Sequence, residues 1–320
     1  MTAVFSCLYR LGRTNGTSLA GRIFKILARS IAKVLLRAYR DPLIRATVGR
    51  RELLMNWSHN LPMILAAYPN YETEIGRLAL FLHRKSGYLK MIDVGANIGD
   101  TIAQLPDIVN AKFLCVEGSG KYFDLLNMNY GSDRAVSCVH ALVSDGDPDA
   151  ALRQMVEGGG TGHMSEFSGA TVANIVPVST VDSLLRKHTE FARANLLKID
   201  TDGFDFRVIK GASQFLAGAR PTLHFELSFE HWERFGGTNV AAALASLSAM
   251  GYYEGILYDN NGFLIGTDSF SEQRTIKLLH AYALRRKDFY LNVIAFHGAS
   301  GWGTEFFANE CDNRFRQIEK

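Results

Sequence analysis

No two cysteines in this sequence stand at metal-binding or redox spacing: Cys7, Cys115, Cys138 and Cys311 are scattered, and no C-x-x-C occurs. A zinc site or a disulfide framework is thereby excluded as the organising element. Cys115 and Cys138, set in apolar runs, read as small buried hydrophobes in a reduced, cytoplasmic protein. Proline is scarce, 7 in 320 residues, and 47% of residues are hydrophobic, which excludes collagen-like, low-complexity and wholly disordered chains. No apolar stretch reaches the roughly 18 residues of a membrane span, because Arg and Lys interrupt residues 18–39 at every turn. No apolar core is followed by a cleavage site, so a secretory signal is not expected. Charge of one sign is not in excess either: 35 basic against 32 acidic residues leave +3, too little to imply a nucleic-acid partner.

Acid is absent locally, however. Residues 1–40 hold eight basic groups and no Asp or Glu, so the other 280 residues carry 27 basic against 32 acidic groups, a net −5. Within this arm, Arg22, Lys25, Arg29, Lys33, Arg37 and Arg40 recur at steps of three or four. That spacing puts the cations on one face of a helix over 18–40, with Ile23, Leu27, Ile31 and Leu35 among the apolar residues on the rest. Three readings fit: a helix packed on the body of the protein, a peripheral membrane contact, or a mitochondrial presequence. Asp41-Pro42 ends this helix. Further helices are expected over Leu43–Met55 and Tyr71–Lys85, so residues 1–87 read as a helical N-terminal segment.

After Gly87 short apolar runs alternate with helical patterns. The runs are 89–95, 112–118, 136–142, 195–200 and 221–227; helices are expected over Tyr122–Asn129, Val181–Ala194, Phe204–Leu216 and Asn239–Met250. Near-continuous apolar strands separated by helices indicate a mostly parallel sheet with helices on both faces, an α/β fold. Gly255–Asp259 and Phe263–Gly266, around Asn260-Asn261-Gly262, read as a hairpin, and Phe289–His297 as a last strand. The glycine-rich stretch 146–176 reads as a loop or extra hairpin, leaving residues 88–298 as the main domain and 299–320 as a C-terminal tail.

The decapeptide MIDVGANIGD (91–100) carries the most information. An apolar strand delivers Asp93 to its end, followed by Gly95, Ala96, Asn97 and Gly99 and a helix starting near Asp100. Strand-to-helix turns of this kind bind nucleotides in doubly wound sheets. Glu117 ends the next strand, and an acid ~20 residues past the glycines is placed to accept hydrogen bonds from ribose hydroxyls. The pattern lacks the third glycine of G-x-G-x-x-G, and a carboxylate at the strand end repels a pyrophosphate but suits a cationic methionine moiety. S-adenosylmethionine (SAM) is therefore the expected cofactor.

These residues resemble the FkbM family of SAM-dependent methyltransferases. The resemblance rests on MIDVGANIGDT, VEG at 116–118, LLKIDTDGFDFRVIKGA at 196–212 and LHFELS at 223–228 in that order, with a similar lead-in at 59–79. It implies a Rossmann-like seven-stranded sheet and methylation of a hydroxyl on a sugar, glycan or polyketide-type acceptor. It also implies cofactor contacts from Asp93, Gly95, Asn97 and Gly99, from Glu117 with Gly118, and from His140, Ala141 and Leu142. Two departures stand out: Thr201-Asp202-Gly203 replaces the usual Val-Glu-Gly, and Pro106 should shorten or kink the helix after the glycine turn.

Reacting groups in an open parallel sheet belong at the carboxyl ends of strands near the crossover. That selects Asp200, Asp202, Glu226 and His231, with Asp202 or Glu226 as base and Asp200 orienting the substrate or sulfonium. A purely structural role for Glu226, paired with Lys198, is the competing reading. Asp200, Asp202 and Asp205 form a carboxylate cluster that suits a hard divalent cation. Asp205 also suits a helix N-terminus, and no metal ligand is assigned. His163 is a further loop candidate. The rivals to a methyltransferase are an NAD-dependent oxidoreductase and an inactive membrane-associated protein that keeps the fold.

Overall fold

The computed structural model describes residues 2–13, 30, 31, 34, 39, 41–146, 154–158, 161–165, 176–231, 239–286 and 289–318. The expected basic helix over 18–40 lies outside these residues except Ser30, Ile31, Val34 and Tyr39, which are helical. Ahead of it, α1 (Thr2–Arg13) belongs to the core: Phe5 and Tyr9 are buried, and the Tyr9 ring meets Trp57 edge-on at 5.1 Å. The stretch 43–55 is not the expected helix. It forms a hairpin of β1 (Leu43–Val48) and β2 (Arg51–Asn56) around Gly49-Arg50. The burial in β1 alternates strictly, with Ile44, Ala46 and Val48 inside and Arg45 and Thr47 outside. A period of two with β-branched residues is strand chemistry, and it overrides the weaker helical pattern.

Then come α2 (Leu61–Ala67) and α3 (Thr73–Ser86), the latter stopped by Gly87 in the left-handed region. The alternating part follows: β3 (Leu89–Val94), α4 (Asp100–Gln104), β4 (Ala111–Glu117), α5 (Gly120–Tyr130) and β5 (Val136–His140). Pro106 has its expected effect, since α4 is only five residues long. Short strands β6 (Leu142–Val143), β7 (Gln154–Gly158), β8 (Thr161–Ser165) and β9 (Val178–Ser179) come next. β7 and β8 are the expected extra hairpin, with His163 opposite Val156. The chain continues through α6 (Val181–Lys187), β10 (Leu196–Ile199), α7 (Asp205–Lys210), α8 (Ser213–Ala219), β11 (Thr222–Leu227) and α9 (Val240–Ala249). It closes with β12 (Glu254–Asp259), β13 (Leu264–Ser269), α10 (Arg274–Ala283), β14 (Leu291–Ala295) and α11 (Gly303–Ile318).

The main sheet has the order β13-β12-β14-β11-β10-β3-β4-β5. β5, β4, β3, β10 and β11 are parallel, and β14, β12 and β13 add antiparallel pairs. It has eight strands rather than seven because the second arm of the hairpin extends the sheet. Strand order reverses between β3 and β10, the position where such sheets open a crevice. Alternate residues divide between two cores. Ile92, Val116, Leu197 and Phe225 pack with Leu184 and Phe215 on one face, and Met91, Cys115 and Leu196 pack with Ile75 and Leu78 on the other. The same alternation places Asp93, Glu117, Lys198, His224 and Glu226 on the second face, all buried.

The 299–320 stretch is not a bare tail. α11 docks through Phe306 and Glu310, both about 1% exposed. The Glu310 carboxylate accepts two hydrogen bonds of 2.6 Å from the Arg77 guanidinium and one of 2.8 Å from the Tyr258 hydroxyl. Removing this acceptor leaves a charge and a hydroxyl unpaired, so Glu310→Ala should cost about 2–4 kcal/mol in a denaturant unfolding titration. Exposed Glu305→Ala, which loses only the Lys85 pair, should cost under about 1 kcal/mol.

Candidate active site

At the carboxyl ends of β3, β4, β10 and β11 a cavity of about 1220 Å³ opens. Its first wall is the turn after β3. Gly95 has φ +83°, and a Cβ there would lie 1.8 Å from the Asp200 carbonyl oxygen, so only glycine fits. Asn97, also left-handed at φ +50°, donates its backbone N–H to Glu117 Oε2 at 2.8 Å. Glu117 Oε1 accepts the Ser119 N–H at 2.7 Å. Each carboxylate oxygen thus keeps an acceptor site toward the cavity. Burial pushes the Glu117 carboxyl up to about 7, the two amides pulling it back. Gly118 packs so closely on Leu142 that a Cβ would meet its Cδ2 at 2.4 Å.

His59 adds a group from the lead-in. Its Nδ1 accepts the Leu61 N–H at 3.3 Å, which leaves Nε2 as the donor to Asn97 Oδ1 at 3.4 Å. Burial lowers its pKa, in keeping with that neutral form.

The floor is a layer of buried charge. Lys198 on β10 stands in register with Asp93 on β3; its ammonium lies 3.6 Å from Asp93 Oδ1 and 3.0 Å from Asp200 Oδ2. Burial works against this ammonium, but Asp200, Asp93, Glu72 and Asp100 outweigh it and hold its pKa well above the lysine value. Burial in turn pushes Glu72 up to about 8 and Asp100 to about 7, with Lys198 opposing in both.

The open end carries Asp202 in the turn after β10, Glu226 near the end of β11 and His231 beyond it. One ligand atom from each lies within 4.8 Å of the other two. Burial first, then Asp200, raises Asp202 to about 7, and burial with the surrounding carboxylates raises Glu226 well above its ordinary value. Asp205 is not part of that group. Its carboxylate accepts from the Thr201 hydroxyl, the Gly203 N–H and the Glu226 N–H, at 3.1, 3.2 and 3.3 Å. The Asp200–Asp202–Asp205 cluster noted in the sequence, to which no metal is assigned, therefore does not form as a group of free carboxylates, because Asp205 is engaged by a hydroxyl and two amides.

Of the expected cofactor residues, Gly95, Asn97, Glu117, Gly118, Ala141 and Leu142 line the cavity. Asp93 does not: it is 0% exposed, beneath the floor, where it pairs with Lys198. Ala96 is buried in the core, Gly99 is the residue that caps α4, and His140 stacks on Phe123 at 4.8 Å behind Gly118. Asp200, Asp202, Glu226 and His231 all reach the cavity. Lys198 pairs with Asp93 and Asp200 and not with Glu226, so the competing structural reading of Glu226 is not what forms. Residues that spacing missed are Asp100, one turn from Asp93 in the same decapeptide, and Glu72, Tyr71 and His59 from the lead-in.

A doubly wound sheet that reverses its strand order at a glycine turn, with an acid closing the next strand, places the chain in the Rossmann-like class. The chain belongs to the FkbM methyltransferase family, whose Methyltransferase FkbM domain matches residues 93–253. No curated protein matches it in sequence. Among solved structures it is similar to the FkbM methyltransferase of Methylobacillus flagellatus KT, at 14% identity over 52% of this chain and 48% of that one, with a TM-score of 0.31. It is also similar to the precorrin-6y C5,15-methyltransferase of Geobacter metallireducens GS-15, at 11% identity over 65% and 80%, TM-score 0.33. A third likeness is the plantazolicin methyltransferase BpumL, solved in complex with SAH, at 9% identity over 74% and 90%, TM-score 0.33. Likenesses this distant carry no inference about chemistry.

The raised Glu72 carboxyl has a measurable consequence. A carboxyl whose folded pKa lies above its unfolded value favours the fold while protonated, and that contribution fades as pH rises from about 4.5 to about 8. Glu72→Gln should therefore match the native protein in melting temperature near pH 4.5 and exceed it by about 5 °C at pH 9, in thermal scans without ligand.

Proposed function

We propose that the protein is a SAM-dependent O-methyltransferase whose acceptor is a hydroxyl of a sugar, glycan or polyketide-type molecule. The observation that carries this reading is Glu117: a carboxylate fixed by two backbone amides on the cavity wall, beside a turn that only glycine can make. Its remaining acceptor sites suit a ribose diol. Leu142 and Ala141 offer apolar surface beside it, and the acids Asp100, Glu72 and Asp200 suit a cationic amino acid moiety. The same acids oppose the pyrophosphate that an NAD-dependent enzyme must bind. Bound there, SAM supplies an electrophilic methyl group.

The chain's own part is to orient the acceptor and take its proton. Asp202 and Glu226 sit at the ends of neighbouring strands on the open side of the cavity, within reach of one hydroxyl. A carboxylate shielded from water takes the hydroxyl proton late in the reaction, a contribution of about 10²–10⁴ in rate. Asp200, held by Lys198, orients the acceptor. Positioning supplies several more kcal/mol.

S-adenosylhomocysteine should raise the melting temperature and NAD should not. Its affinity should rise about tenfold from pH 6 to pH 8 as Glu117 ionises, because only the carboxylate accepts from both hydroxyls. Glu117→Gln should weaken binding by about 1.5–3 kcal/mol and flatten that profile in calorimetry. Unaltered affinity in this variant would move the cofactor site elsewhere. In single-turnover assays Asp202→Asn and Glu226→Gln should keep cofactor binding, and at least one should lose about two orders of magnitude in transfer. Native rates in both would remove these carboxylates from the mechanism.

A further inference from the structure

We infer that Asp202, Glu226 and His231 form a divalent-cation site at the acceptor end of the cavity. Two parallel strands bring the first two together: β10 and β11 are neighbours, and Asp202 follows one while Glu226 nearly ends the other. His231 follows five residues after Glu226, in the short helical stretch 229–231, and closes the triangle. The three donor atoms lie within 4.8 Å of one another. Ligands sharing one ion at about 2.1–2.3 Å stand roughly 3–4 Å apart, so a shift of about 1 Å completes the shell.

Charge and hydrogen bonding point the same way. Glu226 is 8% exposed and lines the cavity, yet among the described residues its carboxylate receives no hydrogen bond and no ion pair. Buried carboxylates are ordinarily paired or coordinate a metal. The nearby ammonium is committed, since Lys198 lies against Asp93 and Asp200. Asp205 shows the contrast: a hydroxyl and two amides fill its oxygens, and it does not line the cavity. Among the described residues, the Glu226 and Asp202 carboxylates have no such partners, and both residues line the cavity.

Two carboxylates with one imidazole suit a cation of intermediate hardness, Mn²⁺ above Mg²⁺. Three protein ligands leave positions toward the cavity for two oxygens of an acceptor, a vicinal diol or a hydroxy-carbonyl. That use of the site rests on the O-methyltransferase reading; the binding of the cation does not. Coordination of the acceptor hydroxyl lowers its pKa, and the proton passes to a carboxylate oxygen not engaged by the ion.

The probe is Mn²⁺ itself, titrated into the EDTA-stripped full chain at pH 7.5 and followed by the electron paramagnetic resonance of free Mn²⁺. One ion per chain should bind with Kd below about 1 mM. Glu226→Gln, Asp202→Asn and His231→Ala should each weaken it about tenfold or more. Asparagine tolerates the left-handed backbone at position 202, and His231 is only half-buried. If the buried Glu226 variant does not fold, these two decide. The thermal shift with S-adenosylhomocysteine, measured on every protein, reports that the cavity is intact. Absent Mn²⁺ binding in the native chain, or binding untouched by the Asp202 and His231 variants, overturns the site. Mn²⁺ binding without any S-adenosylhomocysteine shift would leave the cation site standing and overturn the cofactor reading instead.

Discussion

The Lys198 ammonium is 2% exposed and lies between Asp93 at 3.6 Å and Asp200 at 3.0 Å, with Glu72 and Asp100 close enough to raise its pKa. Much of the site depends on this one placement. Carboxyl groups gathered at the ends of parallel strands repel one another, and in a low dielectric that repulsion is severe. A charge of opposite sign on the central strand lets acid collect there without expelling it from the fold. Lysine alone could not remain charged at such depth, and the acids alone could not remain ionised; each state is conditional on the other.

This also accounts for the shape of the site. Lys198 neutralises the floor under β3 and β10, where a cationic amino acid group is expected to lie. At the other end Lys198 opposes the rise in Asp202, but burial and Asp200 outweigh it there, and Glu226 on β11 stands among carboxylates. The cavity therefore has two regions of different character: a wall of fixed amide-bound acid around Glu117, and an open end of acids to which no donor among the described residues is committed.

Much of the fold could be read from the residues because buried parallel strands leave continuous apolar runs, and β3, β4, β10 and β11 are such runs. The hairpin at 43–56 escaped because its alternation is short and interleaved with arginines that also fit a helix. α11 escaped because what it buries most deeply is a phenylalanine and a glutamate, and a buried glutamate has no hydropathy signature. In the site, Gly95, Asn97 and Glu117 were legible because a local motif fixes them. Asp93 was placed on the cavity surface instead of beneath it. Only strand register, which sets Asp93 opposite Lys198, decides which acid of the decapeptide faces outward. Glu72 and His59 were invisible for another reason: they reach the cavity from a segment more than twenty residues upstream, and spacing along the chain says nothing of that approach.

The contact between Gly118 and Leu142 has a consequence for how this family can drift. The two positions share one small volume on the cavity wall, and a side chain at 118 would have to displace a methyl group of Leu142. A larger residue at 118 requires the Leu142 side chain to turn away or to become smaller, so the two positions are coupled. The bulk they share also trims the pocket's rim, and lineages that trade volume between them would inherit differently shaped pockets from an otherwise unaltered sheet.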